Sequence, residues 1–171
     1  MQFVPWQNIA DWRCKGCGYC CKLYTVVINF PEWLNIVKRF GAQTTVTGLD
    51  RLYIKRCSDG TCSFLCNKAN TYFCALQNMK PEACKIWPFK VLSEPKYGEE
   101  KQAVFDYMGN RLYVYVDTMC SGLLFGEPTW EFRYNTVKEF AELALGLRNV
   151  QYKTTRSAKN GSQQWGRQLF P

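Results

Sequence analysis

"CKGCGYCC", Cys14 to Cys21, puts four cysteines into eight residues, two of them adjacent. The chain has ten cysteines in all: Cys14, Cys17, Cys20, Cys21, Cys57, Cys62, Cys66, Cys74, Cys84 and Cys120. An even count permits a disulfide framework, but such frameworks belong to small secreted domains that cannot build a core. A C-x2-C-x2-C run instead crowds thiolates onto one tight loop, as a metal ion or an iron–sulfur cluster requires. The cysteines come from five separate places, so a metal binding them would tie together loops that an apolar core does not organise.

The chain has no histidine, which rules out mixed cysteine–histidine zinc sites and Rieske-type clusters. An all-cysteine zinc site and a cysteine-ligated iron–sulfur cluster remain. Structural zinc sites use paired C-x2-4-C knuckles, whereas this run is tripled like the first three ligands of a bacterial ferredoxin run, so iron–sulfur is favoured. Neighbouring side chains project differently, so Cys20 and Cys21 serve different sites, or one of them packs as a small hydrophobe.

At 171 residues the chain is long enough for one domain with a real core, and 47% apolar and 16% aromatic residues argue against disorder. No stretch of 18 apolar residues is present to span a membrane. The opening "MQFVPWQNIADW" lacks the basic and apolar regions of a secretory signal, so the expectation is a cytoplasmic protein. The formal charge is +8. Lys153, Arg156, Lys159 and Arg167 fall in a C-terminal stretch with no acidic residue, which suggests contact with nucleic acid or simply a solvated tail.

Along the chain, "KLYTVVINF" (22–30) reads as a strand. "PEWLNIVKRFG" reads as a helix, with Pro31 and Glu32 in its first turn, Gly41 at its end, and Trp33, Ile36, Val37 and Phe40 on one face. "TTVTGLDRLYIKR" suggests a short strand, "CSDGTCSFLC" a turn at Ser58-Asp59-Gly60, "TYFCAL" a strand, and "KPEACKIW" one or two helical turns carrying Cys84. "KQAVFDYM-GN-RLYVYVD" predicts a hairpin turning at Gly109-Asn110. "TVKEFAELALGLRN" predicts a helix opened by a Thr136/Glu139 capping box, with Val137, Phe140, Ala141, Ala144 and Leu147 or Arg148 as its buried stripe. The expected fold is α+β: a single cysteine-bearing domain over residues 1–150, organised by metal, and a basic polar tail over 151–171.

"CKGCGYCC" followed by a strand and a "PE" helix, then Cys62, "CALQNMKPEACKIWPF" and "CSGL", resembles the CxxCxxCC cysteine-cluster family across roughly residues 14–123. The family is described as chelating zinc or iron. The resemblance implies metal ligation by Cys14, Cys17, Cys20, Cys21, Cys62, Cys74, Cys84 and Cys120, leaving Cys57 and Cys66 outside the pattern. Lys80 and Lys85 stand where the family commonly has arginine, so a role needing a guanidinium fork does not carry over. A related region in flagellin lysine methylases is associated with an iron–sulfur cluster, which favours a 4Fe–4S cluster over zinc without implying methylase activity. The expected division is Cys14, Cys17, Cys20 and Cys84 around the main cluster, shielded by Trp87 and Phe89. Cys21, Cys62, Cys74 and Cys120 would form a second site.

No catalytic constellation is visible, and Asp106 and Asp117 read as surface residues of strands. The expected function is metal binding with a structural or redox role beside a protein partner or in a larger assembly. The alternative is a four-cysteine zinc module whose basic tail contacts nucleic acid.

Overall fold

The computed structural model describes residues 2–68 and 71–152. The basic tail, apart from its first two residues, lies outside them. Helices and strands are mixed, as an α+β fold requires.

The strand Asn110–Asp117 is the spine of the main sheet. Phe89–Leu92 pairs with it antiparallel along one edge, and Val104–Tyr107 and Phe3–Pro5 lie end to end along the other. Its alternate residues feed two cores. Leu112, Val114 and Val116 join the main cluster, and Tyr113 and Tyr115 pack with Ala103, Phe3 and Tyr97 on the opposite face. The strand is thus buried on both faces, like the centre of a layered domain.

Residues 130–144 form the helix that covers the first face. Phe132, Val137, Phe140, Ala141 and Leu143 point inward, and the Phe140 ring stacks on Phe89 at 4.0 Å between centroids. The helix begins earlier than its sequence signature suggests. Thr129 Oγ1 accepts the Phe132 amide at 3.1 Å, the geometry of an N-cap. Thr136 and Glu139 lie within the helix and are buried, so the capping box expected there is not the helix start. The helix ends at Ala144, which leaves Leu147 exposed rather than on the buried stripe. The turn Phe132–Val137 is π-helical.

A second core is built on the helix Phe30–Phe40. Its start is a reciprocal capping box between Asn29 and Glu32, with proline in the first turn. Ile36 is buried, with Trp33 and Phe40 beside it, against Ile28, Ile54, Cys62, Phe64 and Leu76. A three-stranded sheet of Val27–Ile28, Leu52–Ile54 and Thr45–Thr47 backs this helix.

Most of the stretch read as a strand over residues 22–30 is not one. Tyr19–Leu23 is a short helix, only Val27–Ile28 is strand, and Phe30 already belongs to the next helix. The β-branched content that suggested a strand is overridden by the cap at Asn29 and the turn that carries the cysteines. The 104–117 hairpin is present, but its turn is Met108-Gly109, both at positive φ. Replacing Phe140 by Ala opens a cavity where two rings stack. Chemical denaturation should show a loss of about 3–5 kcal/mol with an unchanged m-value.

Candidate metal centre

The tripled cysteine loop is shaped by glycine. Gly18 sits at φ 69° as the cap of helix Tyr19–Leu23, and a Cβ there would stand 2.8 Å from the Tyr72 ring. Only glycine combines that backbone with so close an approach. The Tyr72 amide also donates to the Gly16 carbonyl at 2.8 Å, and Lys22 Nζ lies 4.0 Å over the Tyr72 ring. The hairpin of Leu65–Lys68 and Thr71–Cys74, with Cys74 at its end, is thereby fixed to the cysteine loop.

The Cys57–Cys62 turn is pinned by Asp59, which accepts from the Thr61 amide at 2.9 Å and the Thr61 hydroxyl at 2.8 Å. It delivers Cys62, whose amide donates to the Cys21 carbonyl at 2.8 Å. Arg56 clamps the far end of the Tyr19–Leu23 helix by donating to the carbonyls of Tyr24, at 2.6 Å, and Lys22. Cys84 arrives on the short helix Glu82–Ile86, whose first amide donates to Glu32 Oε1 at 2.7 Å.

These paths bring five thiols together from four segments. Cys20 and Cys21 lie Sγ to Sγ at 3.8 Å. Cys21 also interacts with Cys62, while Cys74 and Cys84 lie within electrostatic reach of Cys62 and Cys20. The consequences for the protons differ from thiol to thiol. Hydrogen bonding with Cys21 brings Cys20 and Cys62 each down to about 7, against the pull of burial. Contact with Cys20, then Cys62, holds the Cys21 proton on, and burial adds to it. Burial pushes Cys74 up to about 11 and Cys84 well above the ordinary thiol range. Lys80 opposes that rise at Cys74 and Cys84 and lowers Cys20 further.

Three other cysteines form a separate group: Cys120 is buried in the main core, Cys14 packs against that core and Cys17 is exposed. Arg13 and Gly122 cross so closely that a Cβ on Gly122 would lie 2.2 Å from the Arg13 carbonyl oxygen, and the Arg13 amide donates to the Gly122 carbonyl at 3.0 Å. This crossing sets Cys14 and Cys17 beside Cys120. The Trp12 indole N–H donates to Cys120 Sγ at 3.3 Å, and Ser121 Oγ lies 3.6 Å from Cys17 Sγ. Burial raises Cys120, with the Trp12 hydrogen bond working against it.

The donor set suits a thiophilic metal. Two thiolates on one tetrahedral zinc ion, each at about 2.3 Å, stand about 3.8 Å apart, and the Cys20–Cys21 separation is 3.8 Å. Closure is incomplete: among the described residues, no three His, Cys, Asp or Glu side chains already converge on one point at ligand distance. All ten cysteines carry free thiols.

The CxxCxxCC family, described as a "putative zinc- or iron-chelating domain", matches residues 13–120. The chain belongs to this family. Neither the curated proteins nor the solved structures contain a match to it. Membership supports metal binding and leaves zinc and iron side by side. Among the described residues, no helix is long and apolar enough to cross a membrane.

All eight cysteines named by the motif fall into one or other thiol group, but not in the expected division. Cys84 stands with Cys20, Cys62 and Cys74, while Cys14 and Cys17 face Cys120. Cys66 lies within reach of Cys62, and Cys57 is exposed. Phe89 is core rather than shield, since it stacks on Phe140 and packs against Trp12. Asp106 is exposed and pairs with Arg111 at 3.0 Å. Asp117 is not a surface residue: it is buried and accepts from the Tyr24 hydroxyl at 2.8 Å and the Met119 amide at 3.1 Å. Sequence reading missed Arg56 and Tyr72 as props of the site, because their roles exist only once distant segments meet.

In metal-free protein, alkylation should follow these proton affinities. Cys20 is expected to label with a midpoint near pH 7 and Cys74 with a midpoint near pH 11, as a lowered pKa exposes thiolate at lower pH. Peptide mapping after iodoacetamide treatment across pH reads this out. Labelling of Cys74 ahead of Cys20 would contradict the arrangement.

Proposed function

We propose that the protein holds a cysteine-ligated iron–sulfur cluster of the 4Fe–4S type and serves a structural or redox role in a larger assembly. The carrying observation is the gathering of Cys20, Cys21, Cys62, Cys74 and Cys84 into one thiol-only cluster from four segments. Cys20, Cys62, Cys74 and Cys84 are the ligands we propose for it, with Cys21 in contact. Cys14, Cys17 and Cys120 supply a second group for metal. When bound, such a cluster supplies one-electron transfer or a covalent clamp. The chain's own residues hold the thiols in place through Arg56, Tyr72 and the Glu32–Glu82 contact. Trp87, at the end of the helix that carries Cys84, has its ring centroid 6.0 Å from that of Tyr24.

A zinc-binding interaction module is the second reading, and one observation favours it. The 3.8 Å between Cys20 and Cys21 is the spacing of two thiolates on one ion, whereas a cluster holds its cysteines on separate iron atoms. In that reading the basic residues after Asn149 contact nucleic acid. Deleting residues 151–171 should then weaken retention on heparin and flatten its salt dependence, while an unchanged profile leaves the tail as a solubility feature.

Anaerobically purified protein should be coloured and contain iron and sulfide. Cys62→Ser or Cys84→Ser should abolish the visible absorbance, and Cys57→Ser should leave it intact. A colourless protein with stoichiometric zinc decides for the second reading. Chelation should lower Tm sharply, since the ligands join segments across most of the chain. An apo form melting with the holo form would exclude a structural metal.

A further inference from the structure

Lys80 is the one buried lysine or arginine among the described residues, with 9% of its surface exposed. Three features of the fold put it there. Leu76 anchors the preceding turn in the second core beside Cys62 and Cys74, and the Met79 amide closes that turn on the Leu76 carbonyl at 2.5 Å. Pro81, immediately after, caps the helix that carries Cys84. Lys80 therefore sits in the chain between the strand ending at Cys74 and the helix bearing Cys84, mostly withdrawn from water. Its charge is felt at Cys20, Cys74 and Cys84, thiols from three separate segments.

A buried ammonium needs negative charge close by to offset its lost hydration. Four thiolates around a divalent zinc ion leave about two negative charges in excess. A 4Fe–4S cluster with four thiolates is likewise anionic, and net charge is one of the factors that set its potential. We propose that Lys80 is the built-in counter-charge of the five-thiol centre, stabilising it in its metal-loaded, anionic form. This inference rests on the metal-binding reading above, and holds for zinc and iron alike. It assigns Lys80 an electrostatic role: a point charge is enough, and no guanidinium fork is needed.

The test separates charge from shape in the full-length chain, with zinc as the probe metal. Lys80→Met and Lys80→Gln remove the charge, and Lys80→Arg keeps it. Competition against a chromophoric chelator should show zinc affinity lowered about tenfold or more in the first two, and within about threefold of wild type in the third. Metal-free melting is the control for a merely structural role. Lys80→Met and Lys80→Arg should melt alike without metal, so that any difference in zinc affinity between them is one of charge. Wild-type affinity in both neutral variants overturns the proposal. So does a Lys80→Arg variant as weak as Lys80→Met, which would make shape the cause. Wild-type protein that takes up neither zinc nor iron overturns the metal-binding reading and this proposal together. Failure of the neutral variants alone leaves that reading standing.

Discussion

The hydrogen bond from the Cys62 amide to the Cys21 carbonyl, 2.8 Å long, is where the chain's start meets its middle. Everything at the thiol cluster follows from that crossing. It places Cys62 against Cys21, sets the Cys57–Cys62 turn over the Tyr19–Leu23 helix, and lets Arg56 reach the carbonyls at that helix's end. Among the described residues the second core has six buried members, Cys62 among them. So small a core offers limited burial, and Trp33, Phe40 and Leu52 pack against it at its margins. The main core, by contrast, is a conventional stack of aromatic rings between the spine strand and one helix. Cys14 and Cys120 belong to this main core, and Cys21, Cys62 and Cys74 to the other. The tripled cysteine loop therefore runs from one core to the other.

The parts legible in sequence were those decided locally. The helix Phe30–Phe40 announces itself through Pro31, Glu32 and Gly41, and the 104–117 hairpin through its paired apolar runs. Errors came where a local signal was outweighed. Thr136 and Glu139 have the spacing of a capping box, but the same spacing occurs inside a helix, and Thr129 makes the cap. Asp117 sits in a strand pattern that reads as half exposed. Burial of both faces of that strand is a tertiary fact, and Tyr24 satisfies the carboxylate.

The candidate ligands and their grouping divide along the same line. Which cysteines are candidates follows from spacing and from the family pattern. Which of them stand together depends on the Arg13–Gly122 crossing and the docking of Tyr72 on the cysteine loop, neither of which leaves a mark in sequence spacing. Lys80 was visible only as a departure from the common arginine. Its burial between Cys74 and Cys84 gives the departure meaning.

The strand Phe3–Pro5 pairs with the far end of the spine, Phe3 opposite Asp117. During synthesis the beginning of the chain therefore has no partner until residue 117 has been made. At roughly 5–20 residues per second, the first cysteine loop waits on the order of 5–20 seconds for Cys120 to follow Cys17 out of the ribosome. For that interval its thiols meet the surrounding redox environment without the walls that later enclose them. The order of translation thus leaves the loop's thiols open to oxidation until late in synthesis, when Cys120 arrives beside them.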